Sequence, residues 1–201
     1  MSSSHALGLL RTRAQPFFST RDAAATLGLS LSWTSGLLAG LAAAGLVRRV
    51  RQGHWALDPA ATPLAYAGWV TAPMPSYASL YTALFHHGLI QQIPRVTYAV
   101  SLAKTRVLDT ALGEYSVHQI APELFGGFVD QNGIRLATAE KAVFDTLYLA
   151  RARSGKFAGL TEVDLGPEFN VDALNAFVDR ISNPASRRRT ATAVAKLHIG
   201  D

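Results

Sequence analysis

The chain has 201 residues and a net charge of +5, with 49 % hydrophobic and only 16 % charged residues. That charged share lies below the roughly 25 % usual for folded domains, and with so much apolar material it excludes a charge-rich disordered tail. Cysteine is absent, which excludes disulfides, thiolate nucleophiles and thiolate metal sites and fits a reducing cytoplasm.

MSSSHALGLLRTRAQ is a poor signal peptide, and no run approaches the roughly 18 apolar residues of a membrane span. A cytoplasmic location without a membrane partner is therefore expected. Charge is unevenly spread along the chain. Residues 1–60 hold six arginines against Asp22 and Asp58, net +4, whereas residues 61–184 are slightly acidic and 185–201 are basic again. A basic end in a chain this poor in charge points toward an anionic partner.

In chain order, SHALGLLRTRAQ predicts a helix with Leu7, Leu10 and Ala14 at helical spacing, stopped before Pro16. FSTRDAAATLG predicts a second helix, with Ser19 as cap, Asp22 three residues on and Gly28 as stop. A third helix begins near Ser30 and faces its neighbours with Thr34, Leu37, Leu38 and Leu41, ending at Gly45. Leu46 to Val50 and His54 to Leu57 alternate as two strands around Gln52 and Gly53.

Helix, helix, turn, helix and hairpin is the order of a winged helix-turn-helix, expected over residues 1–60. In that fold the third helix enters the major groove and the wing follows the backbone. Ser32, Trp33, Ser35 and Gly36 are then the candidates for base reading, and Arg48, Arg49, Arg51 and His54, with Arg21 on the second helix, are the candidates for phosphate contact. The third helix carries neither lysine nor arginine, which removes the commonest guanine readers. Gly36 and Gly40 weaken it and mark a close approach to a neighbouring helix or to DNA.

Residues 58–76 contain four prolines, so a linker is expected at 61–75 and a second domain at 76–201. SYASLYTALFHHG predicts a helix capped near Ser76. RVTYAVSL, TRVLDTA, GEYSVHQI and ELFGGFVDQNGIRLA are short, β-branched and aromatic, predicting a small, mainly antiparallel sheet with its clearest turn at QNG. TAEKAVFDTLYLARARSG predicts a helix capped by Thr138, NVDALNAFVDRIS one capped by Asn170, and PASRRRTATAVAKL a last helix with a basic start. The fold class is thus α+β: a winged helix-turn-helix followed by a larger mixed domain.

Chemistry is sparse. His86 and His87 are adjacent on a helix end and do not share a metal-binding face. Glu140, Lys141, Asp145 and Tyr148 form the densest polar group on any helix. Lys141 and Asp145 stand at i and i+4 as an intrahelical pair worth only a few tenths of a kcal/mol, and Asp145, near Tyr148 on an otherwise apolar helix, is a candidate organiser of a semi-buried network. No phosphate loop, dinucleotide fingerprint or serine elbow is present, so no cofactor, no metal and no catalytic residue is expected. Arg187, Arg188, Arg189 and Lys196 form a second basic patch, suited to nucleic acid or to an acidic protein.

SYASLYTALFHHGLIQQIPRVTYAVSLAKTR, then GEYSVHQIAPELFGGF and GIRLATAEKAVFDTLYL, resemble the carboxy-terminal domain of the AbiEi family, the antitoxins of type IV toxin–antitoxin and abortive-infection systems. LVRRVRQGHWALDP resembles that family's wing. The resemblance implies a transcriptional repressor that binds inverted repeats in its own promoter as double-stranded DNA. It also implies an antitoxin countering a nucleotidyltransferase-like toxin without a stable complex. Glu140, Lys141 and Asp145 are then candidates for antitoxicity or for fixing their helix. The alternative is a plain winged-helix regulator whose second domain binds a ligand or protein.

Overall fold

The computed structural model describes residues 2–13, 15–150 and 163–197. It is a mixed α+β chain with two sheets, divided into two units: Met1–Tyr66 with Asp109–Glu114, and Ala67–Leu108 with Tyr115–Asp201.

The first unit opens with α1 (Ser3–Arg11), whose first turn is capped by Ser2 and which buries Ala6, Leu7 and Leu10 on one side. Ala14, expected on the same face, lies outside the described residues. β1 (Phe17–Ser19) leads directly into α2 (Thr20–Leu27). There the expected capping box forms in full: Asp22 N donates to Ser19 Oγ at 3.1 Å, and Ser19 N donates to Asp22 Oδ2 at 2.9 Å. Gly28 closes α2 at φ 65°, a left-handed position that glycine adopts without penalty.

Ser30 caps α3 (Leu31–Ala43), which buries Thr34, Leu38 and Leu41 and leaves Leu37 half-buried. β2 (Arg48–Arg51) and β3 (His54–Ala56) follow as an antiparallel pair with an irregularity between Arg49 and Arg51. β1 joins the far side of β3, giving a three-stranded sheet in the order β1-β3-β2. Phe18, Val47 and Trp55 from this region close a core with Ala6, Leu10, Leu38 and Leu41, and Trp55 Nε1 donates to Thr20 Oγ1 at 2.9 Å. β1 is not among the elements expected from sequence. Three residues carry no periodic signal, and its pairing partner lies almost forty positions away along the chain.

Residues 61–75, expected as a linker, hold α4 (Pro63–Ala67) and the fully buried Tyr66, Ala67 and Val70. Tyr66 packs on Phe17 with ring centroids 5.0 Å apart, inside the first unit. Pro63 stands at the start of α4, where its missing N–H costs nothing.

In the second unit, Ser76–Ala78 form a strand, β4, and the helix α5 starts only at Leu80 and ends at His86. Ser76 therefore does not cap a helix. Its hydroxyl donates to Ala67 O at 2.7 Å from a fully buried position. All three residues of β4 are buried, so the strand lacks the alternation that identifies a half-exposed one.

The remaining strands are β5 (Thr97–Ser101), β6 (Arg106–Thr110), β7 (Gly113–Gln119), β8 (Phe128–Gln131) and β9 (Ile134–Ala137). They complete a six-stranded sheet ordered β6-β7-β5-β4-β9-β8. The sheet is mixed, so the antiparallel expectation holds for only part of it. β4 runs antiparallel to β5 but parallel to β9, and β5 runs parallel to β7. Local turns announce antiparallel pairs such as β8–β9 around Asn132 and Gly133, whereas parallel pairs need crossovers and leave no turn signal. Residues Asp109–Glu114, at the tip of β6 and β7, count with the first unit, where Ala111 N donates to Val50 O at 2.8 Å.

Helices α6 (Ala139–Leu149), α7 (Val171–Asp179) and α8 (Pro184–Val194) are capped by Thr138, Asn170 and Asn183. The expected continuation of α6 over residues 151–155 lies outside the described residues. α6 packs against α5, α7 and α8, and the core gathers Tyr77, Leu84, Val100, Val143, Phe144, Leu174 and Val178. Among the described residues no single helix is long and apolar enough to cross a membrane.

Candidate nucleic-acid interface

The base-reading candidates share the exposed side of α3. Ser32, Trp33, Ser35 and Gly36 all face solvent, and Trp33 is 64 % exposed. Leu31, which composition does not single out, stands beside them and is 51 % exposed. A Cβ at Gly36 or Gly40 meets nothing within 4 Å, so neither glycine marks a close helix contact within the described residues. Arg21 is exposed on the first turn of α2.

The four hairpin residues divide. Arg49 is exposed, its guanidinium 5.8 Å from the Trp55 ring centroid. Arg48 instead donates to Ala111 O at 2.6 Å and to Pro59 O at 3.5 Å. Arg51 Nε donates to the Tyr66 hydroxyl at 3.1 Å, and His54 lies half-buried, edge-on to the Tyr66 ring at 6.5 Å. Sequence alone groups these side chains as one phosphate-binding strip. The structure gives Arg48 and Arg51 internal partners and leaves Arg49 as the most outward of the three arginines.

In the second unit, Lys141 and Asp145 are both fully buried, and Lys141 Nζ lies 2.5 Å from Asp145 Oδ1. The expected i, i+4 pair forms, but wholly out of water, so the few tenths of a kcal/mol of an exposed pair do not describe it. Lys141 Nζ also donates to Leu124 O at 2.9 Å, and Asp145 Oδ2 accepts from the Tyr77 hydroxyl at 3.0 Å and the Ser79 hydroxyl at 2.7 Å. The ammonium stands 4.7 Å from the Phe144 ring centroid and 5.2 Å from that of Phe177, which adds cation–π attraction in a dry setting.

Burial lowers the Lys141 pKa against the opposing pull of Asp145, and burial raises that of Asp145 against the opposing effect of its donors. Burial also pushes the Tyr77 hydroxyl up, and the neighbouring Asp145 adds to that. Every polar atom of the pair has a partner, so the network ties β4, the turn before β8 and α6 together. Leu80, directly after Ser79, takes φ 55°, a left-handed conformation that leucine holds only under constraint from its surroundings.

The glycine pair before β8 has a packing role through its second member. Gly127 has φ 72°, and a Cβ there would stand 2.6 Å from Phe177 and 2.9 Å from the Lys141 stem. The glycine lets the chain pass directly over the buried lysine. Tyr77 and Ser79 escape sequence reasoning as partners of Asp145 because they lie 68 and 66 positions away, on elements with no polar motif. Glu140, by contrast, accepts from Asn170 N at 3.2 Å at the start of α7.

All four residues of the carboxy-terminal basic patch are exposed, and two of them have partners: Arg187 Nε donates to Ile181 O at 2.9 Å and Arg189 to Ser186 Oγ at 3.0 Å. Arg189 and Lys196 line a cleft of about 650 Å³ with Gln119, Pro122, Leu147 and Tyr148. Among the described residues no group of three or more His, Asp or Glu side chains is placed to hold a metal ion. Comparison with protein-family models and with curated proteins returned no match.

Proposed function

We propose that the chain is a DNA-binding repressor of its own operon and the antitoxin of a type IV toxin–antitoxin system, countering a nucleotidyltransferase-like toxin from the cytoplasm. The observation that carries the DNA-binding part is the first unit's order α1, β1, α2, α3, β2, β3 with a β1-β3-β2 sheet. That arrangement fits a winged helix-turn-helix, with α3 as the helix offered to the major groove and the β2–β3 hairpin as the wing. The charge balance supports it: six arginines stand against two aspartates in residues 1–60, and Asp22 is occupied by Ser19.

The antitoxin part rests on the resemblance of residues 76–149 to the AbiEi carboxy-terminal domain. In this reading the buried Lys141–Asp145 network holds the second domain in shape and does not meet the toxin directly, because neither side chain reaches solvent. Co-expression of the full chain with the product of the adjacent open reading frame, which this reading expects to be a nucleotidyltransferase-like toxin, tests it. Restored growth supports the antitoxin. Operator binding without rescue leaves a plain regulator, a second reading favoured by the cleft beside Arg189 and Lys196, which suits an anionic ligand.

A further inference from the structure

The exposed side of the first two turns of α3 consists of Leu31, Ser32, Trp33, Ser35 and Gly36. A guanine is ordinarily read by arginine or lysine, an adenine by asparagine or glutamine, and a cytosine by a carboxylate. None of these side chains is present on that surface. A serine hydroxyl bonds to several bases and separates them poorly. What the surface does offer is apolar area: Trp33 at 64 % and Leu31 at 51 % exposure, neither packed into the first unit's core.

One base edge in the major groove is distinguished by an apolar group, the C5 methyl of thymine. We infer that Trp33 and Leu31 read thymine methyls, so that sequence preference in this protein comes from apolar burial and not from paired hydrogen bonds. This rests on the DNA-binding function proposed above and names its recognition chemistry. Double-stranded DNA is the occupant that the charges select. Arg21 and Arg49 are exposed in the same unit, α3 itself has no acidic residue, and residues 1–60 carry net +4, suited to phosphates on either side of a groove. Gly36 and Gly40 complete the fit. They weaken the helix without relieving any contact within 4 Å, and they leave a low surface that lets the helix backbone approach base edges.

The test uses the full-length chain and a pool of duplexes with a randomised core, sequenced before and after capture. Duplexes enriched in thymine at a few fixed positions are expected. The best duplex is then remade with deoxyuridine in place of thymidine at each position, which removes the methyl and leaves charge and hydrogen bonding unchanged. Affinity should fall about fourfold for each methyl that the protein covers, the equivalent of one buried CH₂. Trp33→Ala should bind more weakly and lose the difference between the two duplexes, with an unchanged melting temperature because the indole is exposed.

Equal affinity for both duplexes, with salt-dependent binding retained, overturns methyl reading while leaving DNA binding in place. A Trp33→Ala variant that keeps the difference also overturns it. Absence of salt-dependent binding to any duplex removes the DNA-binding function and this inference together. If Trp33→Ala instead changes the sedimentation of the free chain and leaves the duplex preference intact, the face pairs copies of the chain and the inference fails.

Discussion

The two units handle charge in opposite ways. The first keeps its cations near the surface and steadies Arg48 and Arg51 with a carbonyl and a hydroxyl. The second takes a lysine and an aspartate wholly out of water and surrounds them with aromatic rings and three further polar partners. A surface cation costs little to keep and remains available to an anionic partner. A buried pair is expensive to desolvate and costly to break, because loss of one member strands the other. Spacing in sequence gives the neighbour of a charged residue, whereas burial decides what that neighbour is worth.

The largest expected effect comes from breaking the buried pair. Lys141→Met leaves Asp145 unpaired and should destabilise the second unit by about 3–5 kcal/mol in chemical denaturation. Lys141→Met combined with Asp145→Leu should recover most of that loss, since no uncompensated charge then remains. An equally unstable double variant would show that shape, not charge, is what the site requires.

A smaller loss follows from filling the space over the lysine. Gly127→Ala introduces a methyl against Phe177 and Lys141 at a left-handed backbone position, and should cost about 1–3 kcal/mol by overpacking. Thermal melts of this variant beside Gly126→Ala check the packing contribution. Gly126 also has a positive φ, 125°, but a Cβ there meets nothing within 4 Å, so the second variant carries backbone strain without overpacking. Gly127→Ser should track Gly127→Ala and not Gly126→Ala if packing against Phe177 and Lys141 is what matters.

In the first unit, Ser19→Ala removes the α2 cap and should cost about 1 kcal/mol. Burial raises the Asp22 pKa, but the hydrogen bonds from Ser19 outweigh it and hold the carboxyl below its ordinary value. A depressed carboxylate stabilises the fold above its unfolded pKa, about 3.9, and that contribution is lost as pH falls through the folded value. Stability of the wild type should therefore decline below about pH 4 by an increment that Asp22→Ala lacks, as followed by urea melts across that range.

Much of the local structure is legible in the sequence. The Ser19 box, the Ser30, Thr138 and Asn170 caps and the glycine stops all announce themselves within four residues, because each satisfies orphan backbone groups locally. β1 and β4 are not legible. One is three residues long and the other buried on every side, and both exist through partners elsewhere in the chain. The candidate interface is legible as a composition on α3, but not the separation of Arg49 from Arg48 and Arg51, which depends on Ala111 and Tyr66. Nor is the depth of Lys141, which has the same i, i+4 spacing as any surface pair.

The most direct test of DNA binding is the salt dependence of the full-length chain on a duplex from the region upstream of its own gene, compared with Arg49→Ala. We expect the logarithm of affinity to fall linearly with the logarithm of salt, and Arg49→Ala to lower that slope by about 0.9, the value for a single neutralised phosphate. Its stability should stay within about 0.5 kcal/mol of the wild type. Binding that does not change with salt, or a slope untouched by Arg49→Ala, would contradict the placement of the phosphate backbone along this hairpin.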